Sequence, residues 1–474
     1  MAGKAQCRAI ALLCVLVIVC AMSVGCGRKS AQGARPAPPA AVKQGRTIRV
    51  TPATLVTAMS AAGPGDTLIV PDGEYSAGQS QASMPVMQST APGGYAFVVK
   101  TRNSDFMTRA SGTPGNPITI RAEGKNAVLK GSLDISGTKY VIVDGLRMAG
   151  GANQGLRAVD VDHVEVRNCS VYDTDGRWSV YFNNARDCVI ENNEVYNAPQ
   201  GHGISVFGNS RNDTVRGNRV HDCAMAGIYF EAYTNPGFYL KDILVENNVV
   251  THVGNLGSAA ITCGNISDST FRNNLLYKNF AGGISFYDPG TATGVLDLRA
   301  QVVKFLRGPD RNARNTIVSN TVYFEPGEGR FCLKIIHKAP GFYIHNNVFY
   351  GGKYTTISVG PQALSGLSMD DNIVIAHKGY PLIGEHEPES LDVESTNMSI
   401  GDWQAKGYDL KTKFETDPLF VSIGKDDYRL SPQSPAIDFG KNLGSLCPVD
   451  IEGVKRPQGK GFDCGAYEYV PPAK

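Results

Sequence analysis

Glu231, Asp288, Asp222, Lys278, Lys334 and His252 are the side chains of this 474-residue chain best suited, by type and spacing, to hold a cation or move a proton. Each interrupts a repeating polar and aromatic pattern. Glu231 stands where neighbouring repeats carry Phe207, Gly264 and Tyr287, and Asp222 opens the loop of the same repeat. Lys278 opens the loop that leads to Asp288, with Lys334 one repeat further on. Taking a proton from the carbon beside a uronate carboxylate requires that carboxylate to be neutralised, by Ca²⁺ on Asp/Glu oxygens or by Arg/Lys, with a base in reach. On that chemistry Asp222, Glu231 and Asp288 are expected to hold Ca²⁺. Lys278, Lys334 or His252 serves as base, and Glu231 also counts among the catalytic groups. A carboxyl pair can instead hydrolyse a glycosidic bond, with the two groups roughly 5–5.5 Å apart for retention or 6.5–9.5 Å for inversion. Glu231 and Asp288, two repeats apart, start from about 10 Å, which fits inversion.

The elements that must position these residues follow from one recurring phrase, as in VIENNEVYN, LVENNVVTH, TFRNNLLYK and FYIHNNVFY. Its aligned asparagines are Asn168, Asn193, Asn218, Asn248, Asn274, Asn320, Asn347 and Asn372, giving steps of 25, 25, 30, 26, 46, 27 and 25 residues. So short a period, built from strands of period two, predicts stacked β-coils of three short strands each, with no coil able to close a core alone. The asparagines are expected inside, in a hydrogen-bonded ladder. Val180, Ile204, Ile228, Ile261, Ile284, Leu333 and Ile357 should form one inward file, and Phe182, Val206, Phe230, Cys263, Phe286, Ile335 and Val359 a second.

Alternation then turns Tyr181, Ser205, Tyr229, Thr262, Ser285, Lys334 and Ser358 outward in one row, with Asn183, Phe207, Glu231, Gly264, Tyr287 and Ile336 in the next. Such a strip could hold several sugar rings, so Tyr181, Tyr229, Tyr287, His202 and His221 are the expected substrate contacts. Tyr172, Tyr196, Tyr277, Tyr323 and Tyr350 recur in nearly every coil beside His221 and are read as packing. The 46-residue step inserts GVLDLRAQVVKFLRGPDRNAR, whose basic side chains, Arg307 among them, would attract a polyanion.

Lys4 and Arg8 precede an apolar run ending at Ser23-Val24-Gly25-Cys26, which resembles a lipoprotein signal with Cys26 as the lipidated residue. The competing reading is ordinary cleavage or a retained anchor; either way the chain is expected to be exported, bound to membrane through lipid alone. Losing those two cations takes the net charge from +2 to 0, which gives no argument for nucleic acid. Gly is abundant, at 53 residues, and charged residues are 19%, as suits many tight turns. Cys447 and Cys464 flank one loop and are expected to form a disulfide, while Cys169, Cys188, Cys223, Cys263 and Cys332 lack metal-ligand spacing and read as core.

Pro52 to Ala62 reads as a short amphipathic helix that plugs the open end of the solenoid, and Ser76 to Pro117 as a long surface excursion. GDTLIVPDGEY, PGNPITIRAEG and YVIVDGL near the start, and DPLF, DYRL, SPAID and GAYEY near the end, resemble exported bacterial right-handed parallel β-helix proteins. That group includes polysaccharide lyases of the chondroitinase B and alginate lyase type, glycoside hydrolases and epimerases. The resemblance implies an all-β, single-stranded right-handed parallel β-helix with an N-terminal helical cap and a C-terminal capping region. The divisions expected are signal 1–26, Pro/Ala linker 27–46, β-helix 47–385 and cap 386–474. It implies no catalytic residue: where the lyases carry paired glutamates followed by a lysine, this chain has Glu231 alone, followed by AYTNPGFYLKD. The expected activity is β-elimination on an anionic polysaccharide by a monomer. A glycoside hydrolase and a non-catalytic glycan-binding scaffold remain the alternatives.

Overall fold

In a computed structural model of the protein, three parallel sheets of 12 strands each run the length of the solenoid. The structure describes residues 45–472 apart from 78–80, 83–85, 92–93, 101–102, 153, 233–239, 288–311, 337, 378–381 and 387–394. The first sheet runs from Thr47–Arg49 to Ser368–Asp370 and the second from Gly73–Ser76 to Lys413–Phe414. The third runs from Phe106–Met107 to Ile383–His386, where Ser395–Met398 closes it antiparallel. One coil visits the sheets in turn, as in Val189–Glu191, Glu194–Ala198 and His202–Phe207, and the next coil pairs above it strand for strand.

Both inward files hold. Val180 pairs with Ile204, Ile204 with Ile228, and the register continues through Ile261, Ile284 and Leu333 to Ile357, all buried. Each such side chain contributes about 1.5–3 kcal/mol relative to exposure, which only stacking can realise because a lone coil has nothing to bury against.

The asparagine ladder occupies the turn between the first and second sheets. Asn193, Asn218, Asn248, Asn274, Asn320 and Asn347 each donate Nδ2 to the Oδ1 of the asparagine in the next coil, at 2.9–3.1 Å. The same Oδ1 accepts the backbone N–H of the preceding coil, for example Asn218 N to Asn248 Oδ1 at 3.0 Å. Asn168 is not a rung. Cys169 takes that place, its backbone N–H donating to Asn193 Oδ1 at 2.9 Å. Asn168 stands one residue earlier, exposed, with φ 55° and its amide on Asp144 Oδ1 at 2.9 Å. Asn192, Asn247, Asn273 and Asn346 share its left-handed file, a conformation asparagine and aspartate tolerate through local hydrogen bonding.

Both ends are covered. The first helix spans Leu55–Ala61 and buries Leu55 and Met59 over the first coils, with Thr108 Oγ1 donating to Met59 O at 2.8 Å. Trp403, in the helix Ile400–Ala405, donates Nε1 to Asp409 Oδ2 at 2.8 Å below the last asparagine rung. The excursion after Ser76 contains the antiparallel pair Val86–Ala91 and Gly94–Lys100 before the chain joins the third sheet at Phe106–Met107. Parallel pairing continues to Lys413–Phe414, and the hairpin of Phe420–Ser422 and Asp427–Leu430 then lays Tyr428 against Tyr277 and Tyr323 of the second sheet. Cys447 and Cys464 are not joined: each is a buried free thiol, Cys447 Sγ donating to Asn273 Oδ1 and Cys464 Sγ to Asp371 O.

Candidate functional site

The outward face of the third sheet carries the groove. Its rows are in the expected register, with Tyr181 beside Ser205, then Tyr229, Thr262, Ser285 and Lys334, and Phe207 beside Glu231, Gly264 and Tyr287. Gly264 has no side chain, which lets Tyr287 reach across the intervening coil so that its hydroxyl lies 2.6 Å from that of Tyr229. Tyr229 donates its proton to Glu231 Oε2 at 2.5 Å, so Tyr287 is the donor in the tyrosine pair. On the other side His202 stacks on Tyr229, with ring centres 4.3 Å apart and planes 12° apart.

Next to this chain lies a pocket of about 290 Å³. Tyr229, Tyr287, His202, Thr262 and Ser285 form its floor, and Ala259 also lines it. Gly282 is needed beneath it, because a Cβ there would meet the Phe331 ring at 2.5 Å. The rim bears three cations, Arg177, Arg330 and Lys334. Arg177 lies over the Trp178 ring at 5.5 Å and Lys334 over Phe331 at 5.7 Å. Among the described residues none of the three has a carboxylate partner, and no carboxylate lines the pocket itself.

Charge and burial tune these groups. Burial, then repulsion from Arg330, lowers the Lys334 ammonium below its ordinary range and favours the neutral amine. Burial raises the Glu231 carboxyl, against the Tyr229 hydrogen bond and the Arg177 charge, which lower it. Tyr229 is raised well above an ordinary phenol, chiefly by burial, and stays protonated. His202 is 2% exposed and burial pushes it down to about 3. Its Nδ1 accepts the backbone N–H of Ala226 at 3.1 Å, which leaves the proton on Nε2, a buried donor with no protein partner.

The structure thus gathers Glu231, Tyr229, Tyr287, His202 and Lys334 in one place. Other expected residues lie elsewhere. Tyr181 is 1% exposed and packs with Trp178 and Phe207 under the groove, closed to a sugar. His221 belongs to the second sheet, where it stacks on Tyr196 and pairs with Asp222 at 2.6 Å. Asp222, His252 and Lys278 form one left-handed corner file with Asp173 and Asn197, at φ 53–56°. There Lys278 is held by Asp426 of the C-terminal hairpin at 2.5 Å, and His252 faces solvent. Asp288, Arg307 and Cys26 lie outside the described residues.

Among the described residues the donors do not suit calcium. Asp222 lies in the second-sheet strand Arg219–Cys223, whereas Glu231 ends the third-sheet strand Ile228–Glu231. Ca²⁺ takes six to eight convergent oxygens. Near the pocket the described residues offer one carboxylate, already engaged by Tyr229, beside three cations. Among the described residues a separate group, Asp162, His163 and Asp187, lies close enough to share an ion, but it is largely exposed and on the first-sheet side. Arg177 had a visible signal, a basic residue opening the loop into the third sheet. Arg330 had none, because its loop falls outside the repeated phrase.

The family model for the right handed beta helix region matches residues 135–297. No curated protein is similar enough in sequence to match. Among solved structures, pectate lyase Pel9A superposes with a TM-score of 0.53 at 15% identity, covering 87% of this chain and 90% of its own. An alginate lyase from Paenibacillus sp. str. FPU-7 gives 0.47 at 19% identity, with coverage of 72% and 98%. The PL6 family alginate lyase AlyGC gives 0.42 at 14% identity, with coverage of 73% and 50%. Strand topology, the family match and the pectate lyase likeness agree: the chain is a single-stranded right-handed parallel β-helix.

Proposed function

We propose that this protein is a lyase that cleaves a uronic-acid-containing polysaccharide by β-elimination in the third-sheet pocket. The observation that carries the reading is the ring of three cations, Arg177, Arg330 and Lys334, which among the described residues have no carboxylate partner and border a pocket floored by tyrosines. Arg177 and Arg330 bind the uronate carboxylate and stabilise the charge that develops on it as the neighbouring proton leaves. Lys334, whose ammonium burial and Arg330 make more acidic than an ordinary lysine's, takes that proton in its neutral form. The electron pair forms the new carbon–carbon double bond and the glycosidic C–O bond breaks. Tyr287, the less buried of the hydrogen-bonded tyrosines, turns its O–H from Tyr229 to the departing oxygen and protonates it. Glu231 fixes Tyr229 and through it the position of Tyr287.

A hydrolase would need two carboxyl groups facing the bond, whereas among the described residues none lines the pocket and Glu231 is bonded to Tyr229. The name of one similar structure supports a polysaccharide substrate: pectate lyase Pel9A shares this fold. We further propose an exported setting with a lipid anchor at Cys26, from the sequence of residues 1–26. No described helix is long and apolar enough to cross a membrane.

The test is incubation of the mature chain with polygalacturonate, alginate, chondroitin sulfate and a neutral glucan, following both ultraviolet absorbance of unsaturated uronate and reducing ends. A rise in both on an acidic glycan, undiminished by a chelator, is the expected result. Reducing ends without absorbance would establish a hydrolase, and retention on a glycan column with neither signal would leave binding alone.

A further inference from the structure

Large exposed apolar side chains are few among the described residues, and their placement is not random. Leu256 is 64% exposed, Phe280 54% and Tyr354 44%; the other four, Leu410, Leu419, Val421 and Val470, lie in the C-terminal region. Leu256, Phe280 and Tyr354 stand in the corner loops that enter the strands Ala259–Gly264, Gly282–Tyr287 and Ile357–Val359 of the third sheet. They therefore follow one edge of the groove for three coil steps, about 14 Å at the spacing of neighbouring strands.

The edge is continuous with the pocket. Leu256 adjoins Gly257 and Ser258, which line it. The coil between Phe280 and Tyr354 contributes Arg330, whose guanidinium reaches back to within about 4 Å of the space beside Gly257. Lys353 lies over the Tyr354 ring at 5.7 Å. Below the edge the floor presents Thr262, Ser285, Lys334 and Ser358. An apolar wall above a hydroxyl-bearing, cationic floor matches a pyranose chain, which has apolar ring faces, polar edges and, in a uronate, a carboxylate.

We infer that Leu256, Phe280 and Tyr354 form a stacking strip that extends the pocket toward the C-terminal coils and holds the sugars beyond the cleaved bond of an acidic glycan. The inference rests on the proposed lyase reading and assigns the strip to substrate of more than minimal length. Binding is measured by calorimetry in a Lys334→Met background, so that the glycan survives, using oligomers of graded length from whichever acidic glycan the parent retains. Phe280→Ala and Tyr354→Ala are each expected to weaken long oligomers about tenfold while the shortest bound oligomer is unchanged. Leu410→Ala, equally exposed but outside the groove, should alter neither. Unchanged affinity for long oligomers in both variants, or equal losses at every length, overturns the strip alone. Failure of the unsubstituted protein to bind any acidic glycan overturns the lyase reading and the strip together.

Discussion

Asn248→Ala is expected to be among the most destabilising single changes in the solenoid that touch no apolar side chain. Its amide donates Nδ2 to Val215 O at 2.9 Å and to Asn274 Oδ1 at 3.0 Å, and its Oδ1 accepts Asn218 N and Asn218 Nδ2, both at 3.0 Å. Each of these four bonds contributes about 1 kcal/mol net, and truncation also leaves buried partners, the Val215 carbonyl and the Asn218 N–H, that water cannot reach. The loss should be about 4 kcal/mol, a large part of the ~5–15 kcal/mol that holds typical domains folded. Asn168→Gly is the matched comparison: its amide makes an exposed bond and its φ of 55° suits glycine, so the cost should be below about 1 kcal/mol. Urea unfolding followed by circular dichroism reads both. Equal costs for the two variants, or an Asn248→Ala loss under about 1 kcal/mol, would refute the ladder as a source of stability.

Arg330→Gln removes a charge that lowers Lys334, so the limb on which activity rises with pH should move to higher pH, while Leu410→Ala leaves it in place. Glu231 has a folded pKa raised above its unfolded value, so the folded chain loses stability as pH climbs from about 4.5 through the raised value. Glu231→Gln should therefore melt higher than the parent at neutral pH while its turnover falls about 10- to 100-fold, a split that thermal melts and initial rates resolve. His202 titrates near 6.5 unfolded and about 3 folded, so its contribution is complete above pH 6.5 and is lost as pH falls toward 3. His202→Gln should flatten that acid limb by up to about 1.4 kcal/mol per pH unit, read from denaturant midpoints at successive pH values.

The coil was legible because period-two strands and repeated Asn pairs leave few other solutions, and the files from Val180 to Ile357 fell in register from spacing alone. The slip at Asn168 shows the limit. Two adjacent columns both favour asparagine, one for the ladder and one for a left-handed turn, and where the ladder position holds Cys169 the eye moves to the wrong column. The same effect misdirected the site. Asp222, His252 and Lys278 looked like chemistry breaking a pattern, yet they fill a corner whose backbone needs positive φ, and the C-terminal hairpin that claims Lys278 through Asp426 lies far along the chain. Tyr181 had the right register and the wrong depth, since alternation gives a side chain's direction but not what Trp178 and Phe207 lay over it. The Tyr287–Tyr229–Glu231 chain depends on Gly264 standing between coils, a relation of four residues that appears only once the register is laid out in space.

The central claim, elimination by the half-buried Lys334 amine in the third-sheet pocket, is tested most directly by Lys334→Met assayed on the acidic glycan that the parent cleaves. The parent should release unsaturated uronate and new reducing ends together, and the variant should release neither while still binding the glycan. A Lys334→Met protein that forms unsaturated product at the parent's rate would contradict the account.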